Sequence, residues 1–368
     1  MTYMDSRIRE HAEIISMHST EMKKGDNVVI DADPIADDLV VALCENCAQI
    51  GSNPLVIRGR TGSRFMRAYV KNNGDGFQMP AHELALFKEM DVYIVIRGDQ
   101  NVSEMADVDH KKISEFDRVR KPLRDERLSK RWCLTQYPAP SNAQIAGMST
   151  EEYQNFVWDA TIRDWDVQKE HQQKLVSLLE GGDKVRIVSG NTTDITMSIG
   201  GMIPINDYGK HNLPGGEVFT APVIGSVEGE VKFDIPLQYK GKRIENSYLK
   251  FKNGKVVAHD ADKNRETLSD ILDADEGARY VGELGIGMNR GIDRFTNNIL
   301  FDEKMGDTIH IAIGMAYEDT VGRGQIKNES SVHVDMITDM SKDSYIEIDG
   351  EVIQRNGCFI FEEGFENN

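Results

Sequence analysis

Two residues near the C-terminal end of the chain have the types and spacing of a metal-chelating pair. His333 and Asp335 lie two residues apart in SSVHVDMI, which has the alternating pattern of a β-strand. Alternation places both side chains on one face and Val332, Val334 and Met336 on the other. An imidazole beside a carboxylate binds a divalent metal, but the same two groups also form a simple hydrogen-bonded pair. This short pattern leaves both interpretations open.

A second histidine lies on another apparent strand. In DTIHIAIGMAY, the isoleucines at 309, 311 and 313 alternate with Thr308, His310 and Ala312, so one face is aliphatic and the other presents the imidazole. A histidine flanked by apolar positions is often a satisfied core residue, so the strand alone does not assign its role. Tyr317 follows a glycine turn and lies within reach of the same site.

Two glutamates occur in apolar, glycine-rich segments. Glu217 in NLPGGEVFTAP follows Gly215 and Gly216, which let the backbone approach another element closely. Glu283 lies among three glycines in VGELGIGMN. A lone charged side chain in such a segment is costly to bury unless it is paired or bound to metal. Together with the two histidines and Asp335, these glutamates suit a pair of borderline ions such as zinc, cobalt or manganese.

The elements that must position these residues fall into two groups. In the first half, the apolar runs GDNVVIDAD, PLVIRG, MDVYIVIRGD and KRWCLTQYP alternate with helical segments, which predicts an α/β domain with a parallel sheet. From Val185 onward, short β-type runs are broken by Gly, Asn and Asp, with a hairpin at Asn253-Gly254 and a helix in ADKNRETLSDILDADEGA. We therefore predict an N-terminal α/β domain over residues 1–183 and a β-rich α+β domain carrying the metal site over residues 184–368.

Composition and charge argue against several classes of function. The hydrophobic fraction of the 368 residues is 39%, and no run approaches the roughly 18 apolar residues of a membrane span. A formal net charge of −18 argues against a nucleic-acid partner. No G-x-G-x-x-G follows the first strand and no G-x-x-x-x-G-K-[ST] occurs, so we expect no nucleotide cofactor. The polar N-terminal segment has no secretion-signal pattern, and we expect a cytoplasmic protein.

The remaining cysteines and histidines carry weaker patterns. Cys44 and Cys47 lie late in a helical segment, where the helix dipole opposes a thiolate, so we interpret them as buried structural thiols. Several histidines on charged or amphipathic helices have no partner pattern, and we expect exposed or partly exposed side chains for His11, His18, His110 and His171.

Several segments together resemble the M29 family of metalloaminopeptidases, the aminopeptidase T/S type. They are NLPGGEVFTAP, GELGIGMN, ILFDEKMGDTIHIAIGMAY, NESSVHVDMI and IEIDGEVIQRNGCF. The resemblance continues through the first half in GDNVVIDAD, PAPSNAQIAGMSTEEYQNF and SGNTTDITMSIGG, so it covers most of the chain in order. Two departures lie beside the site: Val334 stands where the family commonly has tryptophan, and the loop between His310 and His333 is short. Substrate preference is therefore not carried over.

The resemblance implies a metal-dependent hydrolase that removes N-terminal amino acids from peptides through a metal-activated water. It implies two divalent ions per chain (Zn, Co or Mn), a homodimer that encloses the active-site cavity, and peptide substrates with a free N-terminus. Glu217 or Glu283 would shuttle the proton, and Tyr317 would bind metal or the oxyanion. Motif by motif, the implied ligands are Glu217, Glu283, His310, Tyr317, His333 and Asp335.

Two alternatives remain at this point. Relatives of the family open dihydroxypyridine rings with a mononuclear iron site of two histidines and one carboxylate, and His310, His333 and Asp335 would suffice for that chemistry. Glu217 and Glu283 would then be surplus, which favours the two-metal hydrolase. The other alternative is a catalytically silent binding protein of the same fold. Loss of ligands would mark such a protein, and all the implied ligands are present.

Overall fold

The computed structural model describes residues 4–58, 64–239 and 241–365. The helices are α1 Ser6–Glu13, α2 Asp37–Ile50, α3 Arg64–Asn72, α4 Ala81–Glu89, α5 His110–Val119, α6 Lys121–Leu128, α7 Pro140–Ala146, α8 Thr150–Thr161, α9 Trp165–Glu180, α10 Arg265–Leu272 and α11 Ile299–Asp302. A π-helical segment, Ile14–Ser19, continues α1, and 3-10 segments cover Pro34–Ala36, Glu276–Arg279 and Glu318–Thr320.

The strands follow in chain order. They are β1 Asn27–Ala32, β2 Asn53–Arg58, β3 Val92–Arg97, β4 Arg131–Gln136, β5 Lys184–Ser189, β6 Thr193–Ser198, β7 Ile205–Asp207, β8 Asn212–Leu213, β9 Glu217–Thr220, β10 Glu228–Lys232, β11 Leu237–Tyr239, β12 Lys242–Ile244, β13 Tyr248–Lys252, β14 Lys255–Asp260, β15 Val281–Gly287, β16 Thr308–Gly314, β17 His333–Asp339, β18 Ser344–Ile348, β19 Glu351–Arg355 and β20 Cys358–Phe359.

The chain divides into two compact units. The first comprises Met1–Arg163 and Gly209–Gly215. Its sheet has the order β2-β1-β3-β4-β8, and its neighbouring strands run parallel. Nearly every residue of β1 and β3 is buried, as expected for strands covered on both faces by helices. The predicted α/β domain with a parallel sheet is confirmed.

The second compact unit comprises Asp164–Tyr208 and Gly216–Asn368. It contains one sheet of order β14-β13-β10-β6-β5-β18-β19-β20, a second of order β17-β16-β15-β9-β7, and the pair β11-β12. Strand pairs in both larger sheets are antiparallel. Their apolar faces contribute to one buried cluster, which also takes in side chains from α9 and α10. The predicted β-rich α+β architecture is confirmed.

Two helices, α8 and α9, follow residue 149. Ser149 accepts a hydrogen bond from the Glu152 backbone N–H at 3.1 Å and caps α8, while Asp164 caps α9. Apolar residues of α9, including Leu175 and Leu179, lie in the core of the second unit, so the compact units divide just before this helix. The domain boundary between residues 183 and 184 remains a prediction.

One expectation about the histidines is wrong. His11 is fully buried, and its Nε2 lies 2.8 Å from Thr135 Oγ1. Burial lowers the pKa of His11 to about 3, so its imidazole is neutral. His18 and His171 are partly exposed as expected, and the side chain of His110 lies outside the described residues. The interior position arises because α1 packs with its histidine-bearing face inward.

Both neighbouring cysteines were expected to be buried structural thiols, and of the two only Cys47 is buried. Cys47 is buried with its Sγ 3.9 Å from Met22 Sδ, and Cys44 is partly exposed. Burial raises the pKa of both thiols, which disfavours the reactive thiolate.

Candidate metal centre

One face of the sheet β17-β16-β15-β9-β7 carries the polar residues that were singled out in the sequence. Alternation along each strand sends the apolar residues to the opposite face, where they join the core of the second unit. Those apolar residues are Val218, Leu284, Ile286, Ile309, Ile311, Ile313, Val334 and Met336. The site face therefore bears Glu217 on β9, Glu283 on β15, and His310 on β16. His333 and Asp335 lie on the same face of β17.

On one neighbouring strand, a small residue stands opposite each of these side chains. On the other neighbouring strand, Glu217 faces Asp207 and His310 faces Ile337. The register pairs with a small residue are Glu217 with Gly287, Glu283 with Ala312, His310 with Gly285, Asp335 with Ala312, and His333 with Gly314. Directly opposite residues in a sheet have their Cβ atoms about 5 Å apart, so a larger partner would compete for the same volume. The pattern of glycine and alanine leaves room above the sheet for the polar side chains to converge.

Gly285 provides the closest of these approaches. A Cβ atom built on Gly285 would lie 2.0 Å from both Cε1 and Nε2 of His310. No side chain fits there unless the imidazole moves. Glycine is therefore required at position 285 because the ring of His310 on the neighbouring strand occupies the space of a side chain.

We predict that Gly285→Ala displaces the His310 ring and weakens metal binding by about tenfold to a hundredfold. Alanine is compatible with an extended strand, so the far-UV circular dichroism spectrum should be retained. Metal content after dialysis, measured by elemental analysis, checks the prediction. Gly74→Ala is the matched control, because a Cβ there meets nothing within 4 Å. Full metal content in Gly285→Ala would show that the ring position is unimportant.

Backbone carbonyl groups fix the orientation of both histidines. His310 Nδ1 lies 3.1 Å from the Glu303 carbonyl oxygen, and His333 Nδ1 lies 2.7 Å from that of Met315. A carbonyl oxygen only accepts hydrogen bonds, so each Nδ1 carries the proton and donates it. Each Nε2 therefore faces the carboxylates with a free lone pair when the ring is neutral. This is the arrangement in which imidazole binds a metal ion.

The two Nε2 atoms lie among carboxylates. His310 Nε2 is 3.1 Å from Glu283 Oε1 and 3.3 Å from Glu217 Oε2. His333 Nε2 is 3.4 Å from Asp335 Oδ1 and 4.0 Å from Glu283 Oε2. Burial opposes a charge on either ring. The hydrogen bond to Glu283 and the charge of Glu217 outweigh burial for His310 and raise its pKa to about 10.

At the more exposed end of the site, burial and the neighbouring carboxylates again have opposite effects on the charge of the histidine. Burial disfavours charge on His333, but Asp335 and Glu283 outweigh it and raise the pKa of His333 to about 10. Despite its burial, the pKa of Asp335 is held well below its usual range by His333. Burial raises the pKa of Glu217 to about 8, although Lys304 and His310 oppose the increase. The centre attracts positive charge, whether protons or metal ions.

Among the described residues, three buried carboxylate oxygens of the centre have no hydrogen-bond partner. They are Glu217 Oε2, Glu283 Oε2 and Asp335 Oδ1, each buried at the atom. A buried anionic oxygen without a donor is costly, and a metal ion would satisfy it. Moreover, ligand atoms of Glu283, His333 and Asp335 all lie within 4.8 Å of one another. The oxygen and nitrogen donors present therefore fit divalent metal binding.

Tyr317 lies at the open end of the centre. Its ring centroid is 4.9 Å from that of His333 and 6.1 Å from that of Phe219. Tyr317 is 43% exposed, whereas Glu217, Glu283 and His310 are at most 5% exposed. Burial of the phenol group and the neighbouring Glu283 and Asp335 raise its pKa, so the hydroxyl is protonated and can donate a hydrogen bond.

Residues that the sequence did not single out hold the buried end of the centre. The side chain of Gln172 on α9 donates to the carbonyl oxygens of Glu217 at 2.9 Å and Asp207 at 3.0 Å. Gly216 has a φ of +113°, and a Cβ there would lie 2.4 Å from that of Asn289, which confirms the predicted close approach before Glu217. Lys304 and Glu303 follow α11 and contact one another. No periodic pattern in FDEKMGD marks these two residues.

The sequence as a whole matches a family model along nearly its entire length. The model of the thermophilic metalloproteases, M29, matches residues 4–365. The chain belongs to the M29 family. The resemblance inferred from the motifs is thereby confirmed, and this M29 protein is a metal-dependent peptidase by family.

Individual relatives agree with that assignment. The M29 protein is 25% identical to aminopeptidase AmpS of Bacillus subtilis strain 168, over 98% of this chain and 100% of the relative. Among solved structures, wild-type AmpT from Thermus thermophilus superimposes with a TM-score of 0.84 at 24% identity, covering 96% of this chain and 99% of that one.

A 2,5-dihydroxypyridine dioxygenase from Pseudomonas putida KT2440 gives a TM-score of 0.61 at 12% identity, covering 97% of each chain, and so shares the fold. Within the described part of the M29 protein, no helix is both long and apolar enough to cross a membrane.

Proposed function

We propose that this M29 protein is an aminopeptidase that removes N-terminal residues from peptides with two divalent metal ions, zinc, cobalt or manganese. The observation that carries the proposal is the convergence of the Nε2 atoms of His310 and His333 on buried carboxylate oxygens that lack hydrogen-bond donors. We assign the metal ions to Glu217, Glu283, His310, Tyr317, His333 and Asp335. When bound, such ions polarise a peptide carbonyl and lower the pKa of a water molecule.

The surroundings of the two glutamates support different roles for them. Glu217 is engaged by Lys304 Nζ at 3.3 Å and by His310, so its carboxylate is held in place. Glu283 Oε2 has no hydrogen-bond donor and lies toward His333 at the more open side. Glu283 is therefore the residue that takes a proton from the attacking water and returns it to the leaving amine. Glu217 acts as a fixed ligand.

Tyr317 is suited to bind the substrate carbonyl. Its protonated hydroxyl can donate a hydrogen bond to the oxygen that gains negative charge during attack. Because Tyr317, His333 and Asp335 are the more exposed members of the centre, a peptide approaches from their side. The negative charge of Asp335 and Glu283 there also favours the free α-amino group that defines an aminopeptidase substrate.

The proposal predicts amide hydrolysis that depends on a free N-terminus. Protein stripped of metal should release no p-nitroaniline from Leu-p-nitroanilide, and zinc, cobalt or manganese should restore release. N-acetyl-Leu-p-nitroanilide is the matched control, because it has the same amide bond but no free amine. Cleavage of both substrates at equal rates would contradict the aminopeptidase assignment.

The same preparation distinguishes the dioxygenase that shares the fold. Two equivalents of a divalent ion per chain, counted by elemental analysis, support the peptidase. A single iron per chain, with oxygen consumed on addition of 2,5-dihydroxypyridine and no amide cleavage, would contradict the peptidase assignment and support a ring-cleaving dioxygenase instead.

The expected homodimer remains a prediction, which sedimentation of the full chain tests.

A further inference from the structure

A lysine side chain lies inside the proposed metal centre. Lys304 is fully buried, with a relative exposure of 0%. Its Nζ is 3.3 Å from Glu217 Oε1, and it also contacts Glu303 Oε1. Lysine is rarely buried to this extent unless it is paired. The two contacts therefore identify Lys304 as a permanent cation among the carboxylates.

The charge of Lys304 is secured by its neighbours. Burial alone would favour a neutral amine, but the carboxylates of Glu217 and Glu303 contact its Nζ and favour the charged form. The residue cannot withdraw to solvent, because its backbone is tied to the centre on both sides. Its N–H donates to the Phe301 carbonyl at 3.0 Å, and its carbonyl accepts from the Asn289 N–H at 2.9 Å.

The proposed metal centre has an open end and a buried end, and the ligands at the two ends have different surroundings. At the open end, Glu283, His333 and Asp335 place donor atoms within 4.8 Å of one another. At the buried end, Glu217 is the shared partner of His310 and Lys304, with both nitrogens at 3.3 Å. A metal ion at the open end thus meets three protein donors, whereas one at the buried end must share Glu217 with an ammonium group.

We propose that Lys304 is a built-in cation that makes the two metal positions unequal. The position formed by Glu283, His333 and Asp335 fills first and tightly, and the position that uses Glu217 and His310 fills second and more weakly. The inference rests on the proposed two-metal function and deepens it. Lys304 acts as a positioning residue: it holds Glu217 in the vacant state and repels the second ion.

Two consequences follow from the fixed charge. A cation that contacts the same carboxylate as an incoming divalent ion disfavours binding of that ion by electrostatic repulsion. Occupancy of the second position should therefore depend on metal concentration over a range in which the first is already saturated. The chain would then exist as a one-metal form when metal is scarce and a two-metal form when it is abundant.

The test is a Zn²⁺ titration of the metal-free full-length protein by isothermal calorimetry, with a competing chelator for the tight site. Wild type should bind two ions with dissociation constants that differ by about a hundredfold. In Lys304→Met, which keeps the length and removes the charge, the second constant should tighten by about tenfold or more while the first changes little. Lys250→Met, which breaks an exposed pair with Glu230, should leave both constants unchanged.

The outcomes separate this inference from the function on which it rests. Two equal wild-type affinities, or loss of the second ion in Lys304→Met, would overturn the role of Lys304 while leaving a two-metal centre in place. A wild-type chain that binds no zinc would overturn the proposed function itself. If Lys304→Met does not fold, as judged by circular dichroism, two equal constants in the wild type would still overturn the role of Lys304. The Lys304→Gln variant then takes the place of the methionine variant in the same titration.

Discussion

Replacement of Glu283 with glutamine is expected to lower kcat/KM for Leu-p-nitroanilide by about a thousandfold. The amide matches the carboxylate in size, so the packing of β15 between β9 and β16 is kept. It cannot accept the proton of the attacking water, and it also removes a negative charge that faces both histidines. Initial rates at saturating metal, with circular dichroism and metal content recorded on the same sample, measure the effect.

The control for this variant is Glu351→Gln. Glu351 is an exposed residue at the start of β19 and has no place in the centre, so its replacement should leave kcat/KM unchanged. If Glu283→Gln retained full activity with normal metal content, Glu283 would not be the proton carrier and the assignment of the centre would fail.

Metal affinity is expected to increase steeply with pH, by up to about a thousandfold per pH unit near neutrality. Without metal, the pKa of both His310 and His333 is raised to about 10, so both imidazoles are protonated at pH 7. Metal binding requires neutral rings and an ionised Glu217, whose pKa is raised to about 8, so up to three protons must leave. As the pH rises toward 10 the cost of removing them falls, and above that pH the affinity should level off. Calorimetry in buffers of different ionisation enthalpy counts the protons released.

His310→Gln provides the comparison. Without the His310 ring, one titrating group is lost, and the number of protons released at pH 7 should fall by about one. An affinity that stayed constant between pH 6 and pH 9 in wild type would show that the rings are already neutral in the metal-free protein, which contradicts the charge balance of the centre.

Much of the centre was readable from the sequence because it lies on strands. Alternation in TIHIAIG and HVDMI separates the polar face from the core face, and the structure places His310, His333 and Asp335 on one side of the sheet. The glycines around Glu283 indicated close approaches, and the approach of Gly285 to the His310 ring explains one of them.

Other features depend on contacts that no local pattern encodes. Lys304 lies in a turn after α11, where a lysine would normally be exposed, and only the folded chain brings it against Glu217. Strand β8 pairs with β4 in the sheet of the first unit although it lies more than 70 residues later in the sequence. With two residues, it is too short to show the alternation of apolar and polar side chains that marks a strand. His11 was expected on a charged helix surface, but tertiary packing buries it.

The division of the site sheet into a polar and an apolar face has a consequence for how this fold diversifies. The proposed ligands on the sheet, which are Glu217, Glu283, His310, His333 and Asp335, project away from the apolar core that holds the unit together. A replacement among them therefore alters the chemistry of the pocket without opening a cavity in the apolar core. This separation of the two faces would explain how one architecture serves both a peptidase family and a dihydroxypyridine dioxygenase.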